Sequence, residues 1–119
     1  MGETVKGELK RLHSPDVYDL RAYKPNKPFG ILVQALVGPL GIDGEESFDF
    51  VLCTSEWFAE SMEAGIKSGR DHVFIREFDY DVLWDFVKRY CESCQGNSWA
   101  AVAQKLSRLG KWEFQDYIP

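Results

Sequence analysis

The sequence predicts an α+β domain: a mainly antiparallel sheet with about three helices, in the order β-β-β-α-β-α-α-β. Three observations carry this. Two apolar segments, 29–38 and 47–53, flank the turn signal Asp43-Gly44 and read as a hairpin. Two later segments carry apolar residues at helical spacing behind the capping residues Asp79 and Asn97-Ser98. Hairpin-like strands combined with surface helices point to α+β rather than to a parallel α/β sheet.

The elements follow in order. Val5 to Leu12 is a weak first strand, because its apolar positions keep no clean period of two. Residues 14–23 read as irregular or as a short helical turn, with Ser14-Pro15-Asp16 suited to a turn start. In 29–38, Phe29, Ile31, Val33, Ala35 and Val37 fall on one face, and Leu32 and Leu36 on the other. That pattern suits a central strand covered on both sides, or largely so. In 47–53, Phe48, Phe50 and Leu52 alternate with Asp49, Val51 and Cys53. Thr54 or Ser55 then caps a helix running to about Ala64 and stopping near Gly65, with Trp57, Phe58 and Met62 as its buried side. A strand is expected at 72–78, entered through the polar turn 67–71. Asp79 caps a helix whose Leu83, Phe86, Val87, Tyr90 and Cys94 share a face, and residues 95–97 break it. A third helix spans 99–109, with Gly110 suited to its C′ position. The last strand, 111–117, sets Trp112 and Phe114 on one face.

With 119 residues the chain forms a single domain, 1–119. The 14% aromatic content excludes global disorder. No uncharged apolar run approaches the roughly 20 residues of a membrane helix. The N-terminus carries no apolar signal segment. These readings place the chain in the cytoplasm, away from membranes. Three cysteines, Cys53, Cys91 and Cys94, are too few and odd in number for a disulfide framework.

The net charge of −5 is unevenly distributed. Residues 1–27 sum to +2 and residues 67–119 to 0. Residues 28–66 contain no Lys or Arg and seven acids: Asp43, Glu45, Glu46, Asp49, Glu56, Glu60 and Glu63. Glu56, Glu60 and Glu63 stand at i, i+4 and i+7 and would line one helical stripe. Such a chain has no basic groove for nucleic acid and favours a basic partner. The plainer reading of the same charges is a solvated acidic face.

The residues assemble no recognisable catalytic or metal motif. Cys91-Glu-Ser-Cys94 is a CxxC at a helix end, where the dipole disfavours thiolate, and its supporting ligands Cys53, His13 and His72 are isolated. Asp79, Asp81 and Asp85 echo a calcium loop, but Trp84 replaces its glycine and Tyr90 its bidentate Glu. No nucleophile elbow, Walker loop or dinucleotide fingerprint is present. The four tryptophans sit among apolar residues, as core residues do. The expectation is no enzyme, no cofactor and no metal.

Several segments carry a resemblance. They are LHSPD at 12–16, QALVGPLG at 34–41, ESFDFVLCTSEWF at 46–58, EFDYDVLWDFV at 77–87, CESCQGNSW at 91–99 and RLGKWEFQDY at 108–117. In their order and spacing, over about 9–117, the chain resembles the immunity protein 8 family of bacterial polymorphic toxin and contact-dependent inhibition systems. Gln115 stands where an acidic residue is expected. The resemblance implies a non-catalytic protein that binds and neutralises a cognate toxin C-terminal domain. The acidic segment makes Asp43, Glu45 and Glu46 in the hairpin turn, and Glu56, Glu60 and Glu63 on the helix, the expected contacts. A nuclease toxin, with its basic cleft, would complement them. The alternative is a small adaptor or regulatory domain binding another basic protein.

Overall fold

The structure is a computed structural model, and it describes residues 4–116. The strands are β1 (Val5–His13), β2 (Gly30–Pro39), β3 (Glu46–Cys53), β4 (His72–Phe74), β5 (Gln95–Gly96) and β6 (Lys111–Trp112). The helices are α1 (Ser55–Glu60), α2 (Tyr80–Ser93) and α3 (Trp99–Leu106), with a 3₁₀ turn at Leu20–Ala22. The sheet order is β4-β3-β2-β1-β5, and β6 also pairs with β3. All pairings are antiparallel except β3 with β4. The fold is α+β, as the sequence predicts.

Alternation in β2 sets the core. Phe29 and the strand's Ile31, Val33, Ala35 and Val37 are all buried. Their rung partners Leu52, Phe50 and Phe48 project to the same side. Leu83, Val87 and Cys91 of α2, and Val102, Ala103 and Leu106 of α3, join them in one cluster. On the other face Leu32, Gln34 and Leu36 are half-buried. There α1 covers one end: a side chain at Gly30 would meet the Trp57 ring at 2.3 Å, and Phe58 packs edge-on to His72 and Phe74.

The capping expectations hold. Thr54, Asp79 and Ser98 each accept a backbone N–H from the first turn of α1, α2 and α3. Asp16 acts as a strand substitute, its Oδ2 accepting the Leu32 N–H at 2.8 Å, beyond the last β1–β2 rung at His13 and Gln34.

Four expectations change. The first helix ends at Glu60, not Ala64, so Glu63 is off the helix and the three-glutamate stripe is broken. Two residues after Glu63, Gly65 sits at φ 73° in the segment that follows. The strand expected at 72–78 stops at Phe74, and it pairs parallel to β3. The third helix stops at Leu106, and Gly110 serves a close approach instead of a left-handed cap: a Cβ there would lie 2.7 Å from the Asp49 carbonyl oxygen. The last strand keeps only Lys111–Trp112 before the chain turns, and Tyr117, its expected end, lies outside the described residues.

One side chain closes the fold. Glu46 Oε2 accepts the Trp99 indole N–H at 2.9 Å, and Glu46 Oε1 accepts that of Trp112 at 2.7 Å. Phe48 lies against both rings, stacked on Trp112 and edge-on to Trp99. This joins β3 to α3 and β6. Removing the carboxylate leaves two half-buried indole donors unpaired. Glu46→Ala should therefore lower unfolding free energy by about 3 kcal/mol, and Glu46→Gln, which keeps one acceptor, by less. Urea unfolding followed by tryptophan fluorescence measures both.

Candidate functional site

The hairpin divides the acidic segment. Pairing runs from Gly30–Cys53 to Val37–Glu46. Seven rung steps at strand rise put its two ends about 24 Å apart. Asp43, Glu45 and Glu46 belong to the turn end, and Glu56, Glu60 and Glu63 to the α1 end. Asp49 lies between them on the β3 rung facing Gln34.

The six carboxylates are also differently engaged. Asp43, Glu56, Glu60 and Glu63 are exposed and in no ion pair among the described residues. Glu45 is paired with Arg11, whose Nε and Nη2 reach Oε1 at 2.8 and 2.7 Å; the Glu45 carboxylate raises the Arg11 pKa further. Glu46 directs both oxygens inward to the indoles. Near α1, the Lys67 ammonium lies over the Trp57 and Phe58 rings and donates to Ser61 Oγ at 3.0 Å.

The hairpin turn is held by a clamp that the sequence does not announce. The β1–β2 register slips between Leu9 and Arg11, which makes Lys10 the extra residue of a bulge. Its ammonium donates to Glu8 Oε1 at 2.6 Å and to the Ile42 and Pro39 carbonyls at 2.9 and 3.4 Å. Glu8 Oε1 also accepts the Gly41 N–H at 3.2 Å, and the Leu40 N–H donates to the Lys6 carbonyl at 2.8 Å. The turn folds back so tightly that a Cβ on Gly38 would lie 2.0 Å from the Gly44 carbonyl oxygen. Gly41 and Gly44 adopt φ of 75° and 116°, conformations natural to glycine. Out of this held turn project Leu40, 56% exposed, and Ile42, 61% exposed. With Val5 and Pro39 they line a shallow cleft. The missed signal is the segment GPLGIDG itself: two large aliphatics set among three glycines, where turns favour small polar residues. A separate apolar groove runs between β4 and α2, lined by Val73, Phe74, Val82 and Phe86.

The cysteines are buried and free. Burial pushes the Cys91 thiol up to about 12, with Cys94 and Glu92 adding to it. Burial also raises Cys53 and Cys94. Such thiols are protonated near neutrality, which removes the nucleophile a CxxC redox site needs. Among the described residues no three His, Cys, Asp or Glu side chains come together as a metal-ligand set, and no helix is long and apolar enough to cross a membrane.

A small α+β domain that offers solvent a clamped apolar turn and two sets of carboxylates has the features of a protein-binding module. Residues 7–117 match the model of the family described as Immunity protein 8. The chain belongs to that family, and its role is therefore that of an immunity protein, whose partner is a cognate toxin. No curated protein and no solved structure matches it.

Two measurements check this geometry. The Lys10 ammonium, then the Gly41 N–H, hold the Glu8 carboxyl below the 4.5 of an ordinary glutamate. A depressed carboxylate contributes above its unfolded-state pKa, and the contribution is lost as pH falls through its folded pKa. The Glu8 carboxyl resonance should therefore titrate below 4.5, with the Gly41 amide shift following the same midpoint. The native thiols should react with Ellman's reagent only at the rate of unfolding; a fast phase in the native protein would contradict their burial.

Proposed function

We propose that this immunity protein acts in the cytoplasm by stoichiometric occlusion, covering the active surface of a toxin domain whose cleft is basic, as in a nuclease. The observation behind this reading is the 28–66 segment: seven acids, no cation, and four of the acids exposed and in no ion pair among the described residues. Unpaired exposed carboxylates set up a long-range field that accelerates encounter with a basic cleft. The proposed contacts are Asp43 and Glu45 at the turn end and Glu56, Glu60 and Glu63 at the α1 end, with Glu46 fixing the base of the turn. A typical interface buries about 800 Å² on each partner, a patch roughly 30 Å across. One toxin can thus span both ends of the hairpin.

Co-expression tests the function. The toxin domain encoded beside this chain should stop growth alone, and this chain should restore growth and co-purify with it. No rescue from a domain shown to be toxic would instead favour the adaptor reading. Charge reversal tests the contacts. Glu56→Lys, Glu60→Lys and Glu63→Lys together should slow association about 10-fold at low salt and flatten its salt dependence. The melting temperature should stay within about 2 °C, since these side chains are exposed and in no ion pair among the described residues. An unchanged association rate would take the α1 end out of the contact surface.

A further inference from the structure

We propose that the hairpin tip is the apolar anchor of the complex: Leu40 and Ile42 insert into an apolar pocket on the toxin whose rim carries cations. This rests on the immunity reading above and adds the residues that hold the complex together. The tip joins features found together nowhere else among the described residues. Two large aliphatics project side by side from a turn, each more than half exposed. The other group of exposed apolar side chains, Phe74, Val82 and Phe86, lines the groove between β4 and α2 and projects from no turn. The turn beneath them is braced by hydrogen bonds. Lys10, re-aimed by the bulge, ties two turn carbonyls, and Glu8 ties the Gly41 N–H.

A loop already fixed in one conformation loses little entropy when it docks, so its contacts go into affinity. The same bonds do nothing to bury Leu40 and Ile42. They hold the pair in water, in the arrangement a partner's pocket would meet.

Charge selects the occupant. Residues 39–46 carry three carboxylates and no cation. Asp43, next to Ile42, is exposed and in no ion pair among the described residues, while Glu45 sits behind with Arg11 and Glu46 lies at the base. Lys6 is the cation at the foot of the cleft, and Lys10 is engaged with Glu8 and the turn. An apolar knob with a carboxylate at its apex fits an apolar pocket with a basic rim, continuous with the acidic contacts proposed above. A second copy of this chain would place Asp43 against another carboxylate-bearing tip.

The test uses the full chain and the purified toxin domain, with binding kinetics by surface plasmon resonance. L40S/I42S should weaken binding about 100-fold, nearly all of it as faster dissociation. Its association rate and melting temperature should match the parent's. Lys10→Met keeps both aliphatics but frees the turn carbonyls, and should weaken binding about 10-fold in the same direction. L40S/I42S binding within about three-fold of the parent overturns the anchor; growth protection by the parent would then leave the immunity reading intact. A parent chain that neither binds nor protects would overturn both. Sedimentation of the parent alone should give a monomer. A dimer that L40S/I42S dissociates would assign the tip to a second copy and overturn the proposal.

Discussion

A single carboxylate ties the hairpin to two tryptophans of the C-terminal third of this chain. Glu46 stands where the turn becomes β3, and its two oxygens take the indole N–H groups of Trp99 and Trp112, 53 and 66 residues further along. Burying a carboxylate is costly unless its acceptors are filled. Here each oxygen has a donor, and Phe48 on the core side of β3 packs against both rings. Next to it, Ser47 and Glu113 exchange two further bonds, one through the Glu113 side chain and one between main-chain groups. The start of β3 is therefore the hub at which sheet, α3 and β6 meet. Because Glu46 fixes one leg of the turn and Lys10 clamps the turn from β1, the tip is held from both sides.

The other end of the hairpin has its own joint. Thr54 Oγ1 accepts the N–H of Phe29, which precedes β2, and that of Trp57, in the first turn of α1. One hydroxyl thus orients the helix over the sheet, and the bare Cα of Gly30 lets the Trp57 ring lie flat on the strand. The consequence is electrostatic as well as structural. Six of the seven acids of one sequence segment are placed at opposite ends of a hairpin, with roughly 24 Å of strand and Asp49 between. At working ionic strength that exceeds the screening length of about 8–10 Å. The two groups are therefore separate patches of charge, not one stripe.

Much of the fold was legible because it rests on local chemistry. The alternation from Phe29 to Val37, the caps at Asp79 and Ser98, and the Asp43-Gly44 turn each encode their outcome within a few residues. What escaped depends on partners distant in sequence. Glu63 reads as helical by spacing, yet the helix ends at Glu60 with Ser61 as its C-cap. β4 is three residues long because it runs parallel to β3 and at Phe74 reaches Cys53, where β3 ends; β6 takes the same edge further back, at Phe48 and Asp49. Gly110 resembles a cap by position, but what requires a glycine there is the Asp49 carbonyl 2.7 Å from where a Cβ would sit. The site divides in the same way. The excess of carboxylates was visible in the composition; that Glu46 is engaged inside the fold, and that a bulged Lys10 builds a platform under two exposed aliphatics, follows from register alone.

Charge and apolar contact have different tasks in such a protein. Exposed carboxylates in water gain little per contact, since solvent and salt screen them. Their reach shows in how often the right faces meet. An aliphatic pair gains nothing until water is expelled around it, so its effect is felt after encounter, in how long the complex lasts. An immunity protein needs both: capture before the toxin finds its target, and release slow enough that no active toxin escapes. On the contacts proposed above, the hairpin would separate these demands along one chain segment. Its α1 end presents exposed carboxylates, and its turn end presents Leu40 and Ile42 on a braced loop with one carboxylate at the apex. The bulge at Lys10 is what keeps the second arrangement from collapsing onto the sheet: a regular register would set the residue at position 10 on a rung opposite β2, and the ammonium would no longer stand under the Pro39 and Ile42 carbonyls.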